Sequence, residues 1–214
     1  MVWDLPTRLF HWGFAGSIIG AYITGEIGAT YWHELFGLAA FGLLVFRLIW
    51  GFVGHPSARF STLLHPPAVI AAYIRAIFRR ATPPFIGHNP LGGLAVIALL
   101  ALMGGMAVTG LWTGDDILYE APLSVLAPQL FADWPTPAGR WHSRLHDFIL
   151  PLVALHVSAI IFHRFWLGEK LAARMVTGGI GGQMPARRRS LFGLALLALC
   201  LTGALSLSLL TPTY

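Results

Sequence analysis

Charge is scarce in this sequence. Only 11% of its 214 residues are Asp, Glu, Lys or Arg, against a hydrophobic share of 56% and a mean hydropathy of +0.69. A water-soluble domain carries about a quarter charged residues, so the shortage excludes an ordinary soluble fold and points to lipid as the solvent. Cysteine is scarcer still. The single Cys200 can form no internal disulfide and lies in an apolar run, where packing is its expected role. Internal repeats and low-complexity segments are missing too, which leaves one membrane domain with a possible separable last helix.

Long apolar runs are what the sequence has in their place. Spanning a bilayer takes roughly 20 mostly apolar residues at about 1.5 Å each. Five runs reach that length, at about 9–27, 34–53, 91–112, 145–166 and 190–210. The fold class expected is therefore all-α, an integral membrane helical bundle. "MVWDLPTRLFHW" has no basic stretch ahead of an apolar core, so the first run is expected to be an uncleaved span.

The few charges are sorted by sign. With the N-terminus on the inner side, only Arg140 and Arg144 of the 14 basic residues fall outside, while Glu26, Glu34, Asp115, Asp116, Glu120, Asp133 and Asp147 gather there. The positive-inside rule thus predicts N-in and, with five spans, C-out. It also accounts for a pI near 10 without invoking nucleic acid. "PPAVIAAYIRAIFRR", in the inner loop from Gly54 to Asn89, has the spacing of a helix lying along the membrane surface. The loop from Thr113 to Arg140 is rich in Pro and Asp and suits a docking face or plain solvation. Gly178 to Gly182 reads as a flexible joint.

Four histidines in "RWHSRLHDFILPLVALHVSAIIFHRFW" carry the functional signal, because an imidazole inside hydrocarbon is expensive. His142 and His156 are 14 residues apart, about 21 Å along a straight helix and on nearly the same face. They are too distant to share one ion and suitably placed for two stacked cofactors. Topology offers each a partner of matching depth: His33 for His142 outside, His11 for His156 inside. Two pairs of imidazoles presented from opposing helices suit the axial positions of haem iron and leave no open site for oxygen chemistry. Electron transfer is the function that follows. Gly13, Gly16, Gly20, Gly37 and Gly42 offer room for a flat porphyrin, or simple helix packing.

Zinc chemistry fits less well. "HELFG" lacks the second histidine of HExxH, and "HSRLH" has no third ligand or catalytic glutamate beside it. Of the remaining histidines, His146 suits a hydrogen bond to a haem propionate and His163 an interfacial position. His88 opens the third span in "GHNPLGG", as a quinone donor or an interfacial turn, and His55 and His65 read as loop residues.

"RLFHW" (8–12), "WHELFGLAAFGLLVFRLIWG" (32–51), "GHNPLGG" (87–93) and "WHSRLHDFILPLVALHVSAIIFH" (141–163) together resemble the bacterial di-haem cytochrome b-561 family. That family includes the cytochrome b subunit of nickel-iron hydrogenases. The resemblance covers about residues 1–176 and implies a four-helix core with two haem b groups and exchange of electrons with the quinone pool. By motif match it assigns His11, His33, His142 and His156 as ligands. It also implies a bacterial inner membrane and, as redox partner, a hydrogenase, a periplasmic cytochrome c or superoxide itself. A fifth helix, with its linker at 177–214, and the loop after the third span stand outside the common core.

The leading reading is an electron-transfer subunit of an oxidoreductase, embedded in lipid, linking quinone or quinol to an outer partner. Arg8 and Arg47 are candidates to offset the propionates of the inner haem, Arg140 and Arg144 those of the outer one. A second reading is a stand-alone superoxide:quinone oxidoreductase; a third is a haem-free membrane assembly or transport subunit. Superoxide turnover by the purified chain separates the first two, and a b-haem spectrum excludes the third.

Overall fold

The computed structural model describes residues 3–82, 87–115, 119–124, 135–179 and 187–210. Helices dominate: α1 (Leu5–Glu26), α2 (Thr30–Val53), α3 (Pro67–Phe78), α4 (Pro90–Trp112), α5 (Pro135–His146), α6 (Ile149–Trp166), α7 (Leu171–Thr177) and α8 (Arg187–Leu205). Between α4 and α5 a two-residue antiparallel hairpin pairs β1 (Gly114–Asp115) with β2 (Tyr119–Glu120). Asp116 and Asp133 of the proposed docking loop, and residues 180–182 of the proposed joint, lie outside the described residues.

Among the described residues four stretches are long and apolar enough to cross a membrane: Thr30–Val53, Pro90–Trp112, Pro137–Trp166 and Arg187–Leu210. In the last three no more than 11% of the most apolar window is buried within protein. Large side chains such as Val108, Leu155, Phe165 and Leu199 face outward. Apolar surface on this scale suits hydrocarbon and not water. The first of the five expected spans falls short of the same standard. At 22 residues α1 is long enough, but Arg8, His11, Ser17, Tyr22 and its glycines dilute the apolar stretch.

The fourth expected span is not one straight helix. Asp147 and Phe148 form a turn between α5 and α6, closed by Phe148 N donating to Leu145 O at 3.1 Å. Pro151 explains the break, since it has no N–H to offer the carbonyl four residues back. The 21 Å separation expected of His142 and His156 was reckoned along an unbroken helix.

The chain divides into two compact units. The first gathers residues up to Leu9 with Arg47–Leu100 and Pro151–Ala195. Its core is set by fully buried Trp50 and Leu63. Asp4 caps α1 by accepting from Thr7 N at 3.2 Å, and its second oxygen accepts from the Trp50 indole at 3.2 Å. Asn89 caps α4, accepting from Gly92 N at 2.7 Å, as the Asn-Pro pair in the sequence predicts. Gly93 lets the α4 backbone pass the turn at 60–63, because a Cβ there would overlap the Leu63 carbonyl. The expected surface helix is α3, which buries Tyr73 and Ile77 and exposes Phe78. Trp166 on α6 holds it, donating to Ile77 O at 3.1 Å with the Arg80 guanidinium over its ring. Gly178 caps α7 in the left-handed region (φ 89°), and its carbonyl accepts from Trp3 N. That glycine is therefore a structural stop and not a loose joint.

The second unit gathers Phe10–Phe46, Ala101–Leu150 and the chain from Leu196. Phe10, Leu38, Leu43, Leu44 and Phe46 are buried together, with Phe10 and Phe14 stacked at 5.3 Å. Gly42 marks a close approach of α2 to α8: a Cβ there would lie 2.7 Å from the Cys200 carbonyl and 2.9 Å from Ala204 Cβ. Backbone cannot yield as a side-chain tip can. Gly42→Leu is expected to cost about 1–3 kcal/mol, read as a lowered thermal midpoint in detergent; an unchanged midpoint would mean that α8 packs elsewhere.

Candidate haem site

Within the second unit, His33 on the first turn of α2 and His142 on α5 face each other. Their ring centres are 6.1 Å apart and their planes stand at 84°. Each ring is held through Nδ1. His33 Nδ1 lies 2.7 Å from Ala21 O, and His142 Nδ1 lies 3.1 Å from Met106 O and 3.3 Å from Thr109 Oγ1. A carbonyl can only accept, so in both rings Nδ1 carries the proton and Nε2 is left with its lone pair. This is the tautomer a metal-binding histidine needs, fixed by the hydrogen bond on the other nitrogen.

The rings line a cavity walled by α1, α2, α4 and α5, with Phe14, Ile18, Phe41, Met103 and Leu111 on its sides and about 850 Å³ of unfilled space, part of it open to the surroundings. Its walls are almost wholly apolar, as a flat hydrophobic ring system requires. Glycines make room for the imidazoles: a Cβ at Gly25 would lie 2.9 Å from His33 Nδ1, and one at Gly110 would lie 3.0 Å from His142 Cε1. Gly37 lines the cavity, and a Cβ there would meet nothing within 4 Å.

These residues would suit a b haem held between two imidazoles: the ring centres are 6.1 Å apart, and the proton on each Nδ1 would leave both Nε2 lone pairs available to one iron. Among the described residues no three histidine, cysteine or acidic side chains converge on one point. The donor set is an opposed pair. Gly110→Val is expected to push His142 off this axis and lower the haem bound per chain, while Gly110→Ala has a milder effect; haem quantified against protein reads both.

The other predicted residues are placed differently. His11 belongs to the second unit, edge-on to Trp12, and His156 to the first. Arg47 is buried in the first unit over the Phe60 ring at 4.7 Å, within the field of Asp4, and its Nη1 has no hydrogen-bond partner among the described residues. Arg8 donates to Val176 O. Arg144 is exposed over Trp141, and Arg140 is exposed. His146, expected near a propionate, stacks on Tyr22 and lies 3.4 Å from Glu26 Oε1 at the rim of the cavity. His163, expected at an interface, is buried and paired with Glu169 at 2.8 Å. Of the five glycines expected to make room, Gly13, Gly20 and Gly42 pack against Leu43, Phe36 and α8, and only Gly16 and Gly37 stand in open space. Gly25 and Gly110 were not anticipated. Their signal is faint, since each acquires its role only when a ring from another turn or helix arrives over it.

Comparison with known proteins supplies the family. The profile of the family described as prokaryotic cytochrome b561 matches residues 2–178. A protein of Azotobacter vinelandii named "Probable Ni/Fe-hydrogenase B-type cytochrome subunit" is 28% identical, over 83% of this chain and 86% of that protein. One of the same name from Bradyrhizobium diazoefficiens is 24% identical, over 83% and 84%. No solved structure matches. The chain belongs to the prokaryotic cytochrome b561 family and is a membrane b-type cytochrome that carries electrons.

Proposed function

We propose that the chain binds two b haems and passes electrons between quinone in the membrane and a redox partner on the outer side. The observation that carries this reading is the His33–His142 pair, opposed at 6.1 Å with both Nδ1 atoms engaged by main-chain carbonyls. His33 and His142 would hold the outer haem. The pairing of His11 with His156 for the inner one rests on their depth in the sequence. Bound in this way, the iron supplies a one-electron change with no open coordination position.

The remaining parts follow from charge and topology. Arg8 and Arg47 are assigned to the inner propionates and Arg140 and Arg144 to the outer ones. Arg47 has the strongest support, because a buried guanidinium nitrogen without a partner calls for an anion. The charge bias supports an N-terminus inside and a C-terminus outside, and the family supports a bacterial inner membrane. Residues 1–176 form the haem-binding domain, and 177–214 supply a linker and a fifth span. The named relatives favour a hydrogenase as partner over a periplasmic cytochrome c.

A reduced-minus-oxidised spectrum of the purified protein, with haem counted per chain, tests the reading. Two b haems are expected. One haem would overturn the His11–His156 pairing, and none would overturn the function.

A further inference from the structure

The first unit carries a groove that the haem site does not use. It is walled by the last turns of α6 and by residues 169–173, with about 700 Å³ of unfilled space, part of it open to the surroundings. Ile161 stands three and four positions before Arg164 and Phe165, so all three share one face of α6. α6 ends at Trp166, and Gly168 in the left-handed region (φ 72°) turns the chain back on itself. His163 O accepts from Leu167 N at 3.2 Å and Glu169 N at 3.1 Å, which closes the turn. The returning chain brings Lys170 and Leu171 into the same groove as Arg164.

The charges of this groove are unbalanced. Glu169 is the one acid among its described lining residues, and its Oε2 accepts from the buried His163 Nδ1 at 2.8 Å. Arg164 and Lys170 are exposed, and among the described residues neither forms an ion pair. Two cations against one carboxylate leave the groove positive, whether or not His163 is protonated. Its walls are apolar in the same measure. Phe165 is 84% exposed, and Ile161 is exposed beside it. Both belong to Pro137–Trp166, a stretch long and apolar enough to cross a membrane. Cations at the end of such a stretch reach headgroup depth, while apolar side chains on the turn before stand among acyl chains.

We propose that this groove binds one anionic phospholipid, its phosphate held by Arg164 and Lys170 and an acyl chain laid over Ile161 and Phe165. A guanidinium and an ammonium converging on a phosphate form charge-assisted hydrogen bonds, and basic pockets beside membrane helices take such headgroups. A zwitterionic lipid brings an ammonium of its own, which the groove cannot answer because the Glu169 carboxylate is engaged by His163. Free phosphate would meet the cations but leave Ile161 and Phe165 uncovered. The lipid site is independent of the number of haems and of quinone.

The test is native mass spectrometry of the purified, haem-loaded protein in detergent, titrated with dioleoyl phosphatidylglycerol or dioleoyl phosphatidylcholine. The first phosphatidylglycerol is expected to bind about 10-fold more tightly than the first phosphatidylcholine. Arg164→Gln and Lys170→Gln should each weaken it about 5-fold, the worth of one basic side chain at an anionic headgroup. Phe165→Ala should also weaken it, and haem content should be unchanged in all three variants. Arg187→Gln combined with Arg188→Gln removes two exposed charges elsewhere and should leave the preference intact. Equal affinity for the two lipids, or as large a loss in the Arg187 and Arg188 variant, would overturn the site. Displacement of the lipid by millimolar inorganic phosphate, with wild-type binding in Phe165→Ala, would reduce it to an anion site and overturn the lipid.

Discussion

Replacing His142 with alanine is expected to leave one b haem per chain in place of two, and His33→Ala should do the same. If the two rings, 6.1 Å apart, hold one haem as proposed, removing either would leave its iron with a single protein ligand in an apolar cavity. The lost haem should be the same one in both variants, recognised by the potential of the one that remains. His11→Ala and His156→Ala should each remove the other haem. His163→Ala and His146→Ala should keep both, since these rings are engaged with Glu169 and Glu26. If His33→Ala retained two haems, the pairing would be wrong; loss of a haem in His163→Ala would move the α6 ligand from 156 to 163.

The second large effect is expected at Asp4, a residue the sequence gives little reason to notice. Its carboxylate is almost fully buried, caps α1 through Thr7 N, and accepts from the indole of fully buried Trp50. Asp4→Ala removes the cap and strands the indole N–H, which together should cost about 2–4 kcal/mol, visible as a large fall in the thermal midpoint in detergent. Asp4→Asn keeps one acceptor oxygen, enough for the cap or the indole but not for both, and should cost less than Asp4→Ala. It also removes the negative charge that acts on buried Arg47. If Arg47 faces the inner propionates as proposed, its charge is then less offset, the reduced iron is favoured, and the inner haem potential should rise. A potentiometric titration of Asp4→Asn that matches wild type would separate Arg47 from that haem.

The sequence made the helices legible wherever composition alone decides them. The runs giving α2, α4 and α8 are predominantly apolar, and Asn89-Pro90 marks the start of α4. It was less informative where a local signal competes with a long one. Pro151 lies inside an apolar run, and the break at Asp147–Phe148 yields to that proline although the hydropathy is continuous. The meeting of His33 and His142 was anticipated from their depth, because both sit near the same end of neighbouring spans. What holds them was not. Ala21 and Met106 act through carbonyls, which every residue type possesses, and Gly25 and Gly110 matter only through rings brought in from elsewhere. Glu169 was hidden for a similar reason. It lies six positions beyond His163, and the turn at Gly168 brings its carboxylate back to the imidazole.

The main-chain acceptors at Ala21 and Met106 have a consequence for genetics. No codon change can delete a carbonyl, so a saturation library scored for haem binding should find both positions tolerant of any side chain that fits. Among the polar partners of these two rings, Thr109 is the one such a scan can expose. The lesions that reach the others are insertions or deletions of a single residue in α1 or α4. These rotate each following carbonyl by about 100° and turn it away from its ring without changing the identity of any residue that lines the cavity.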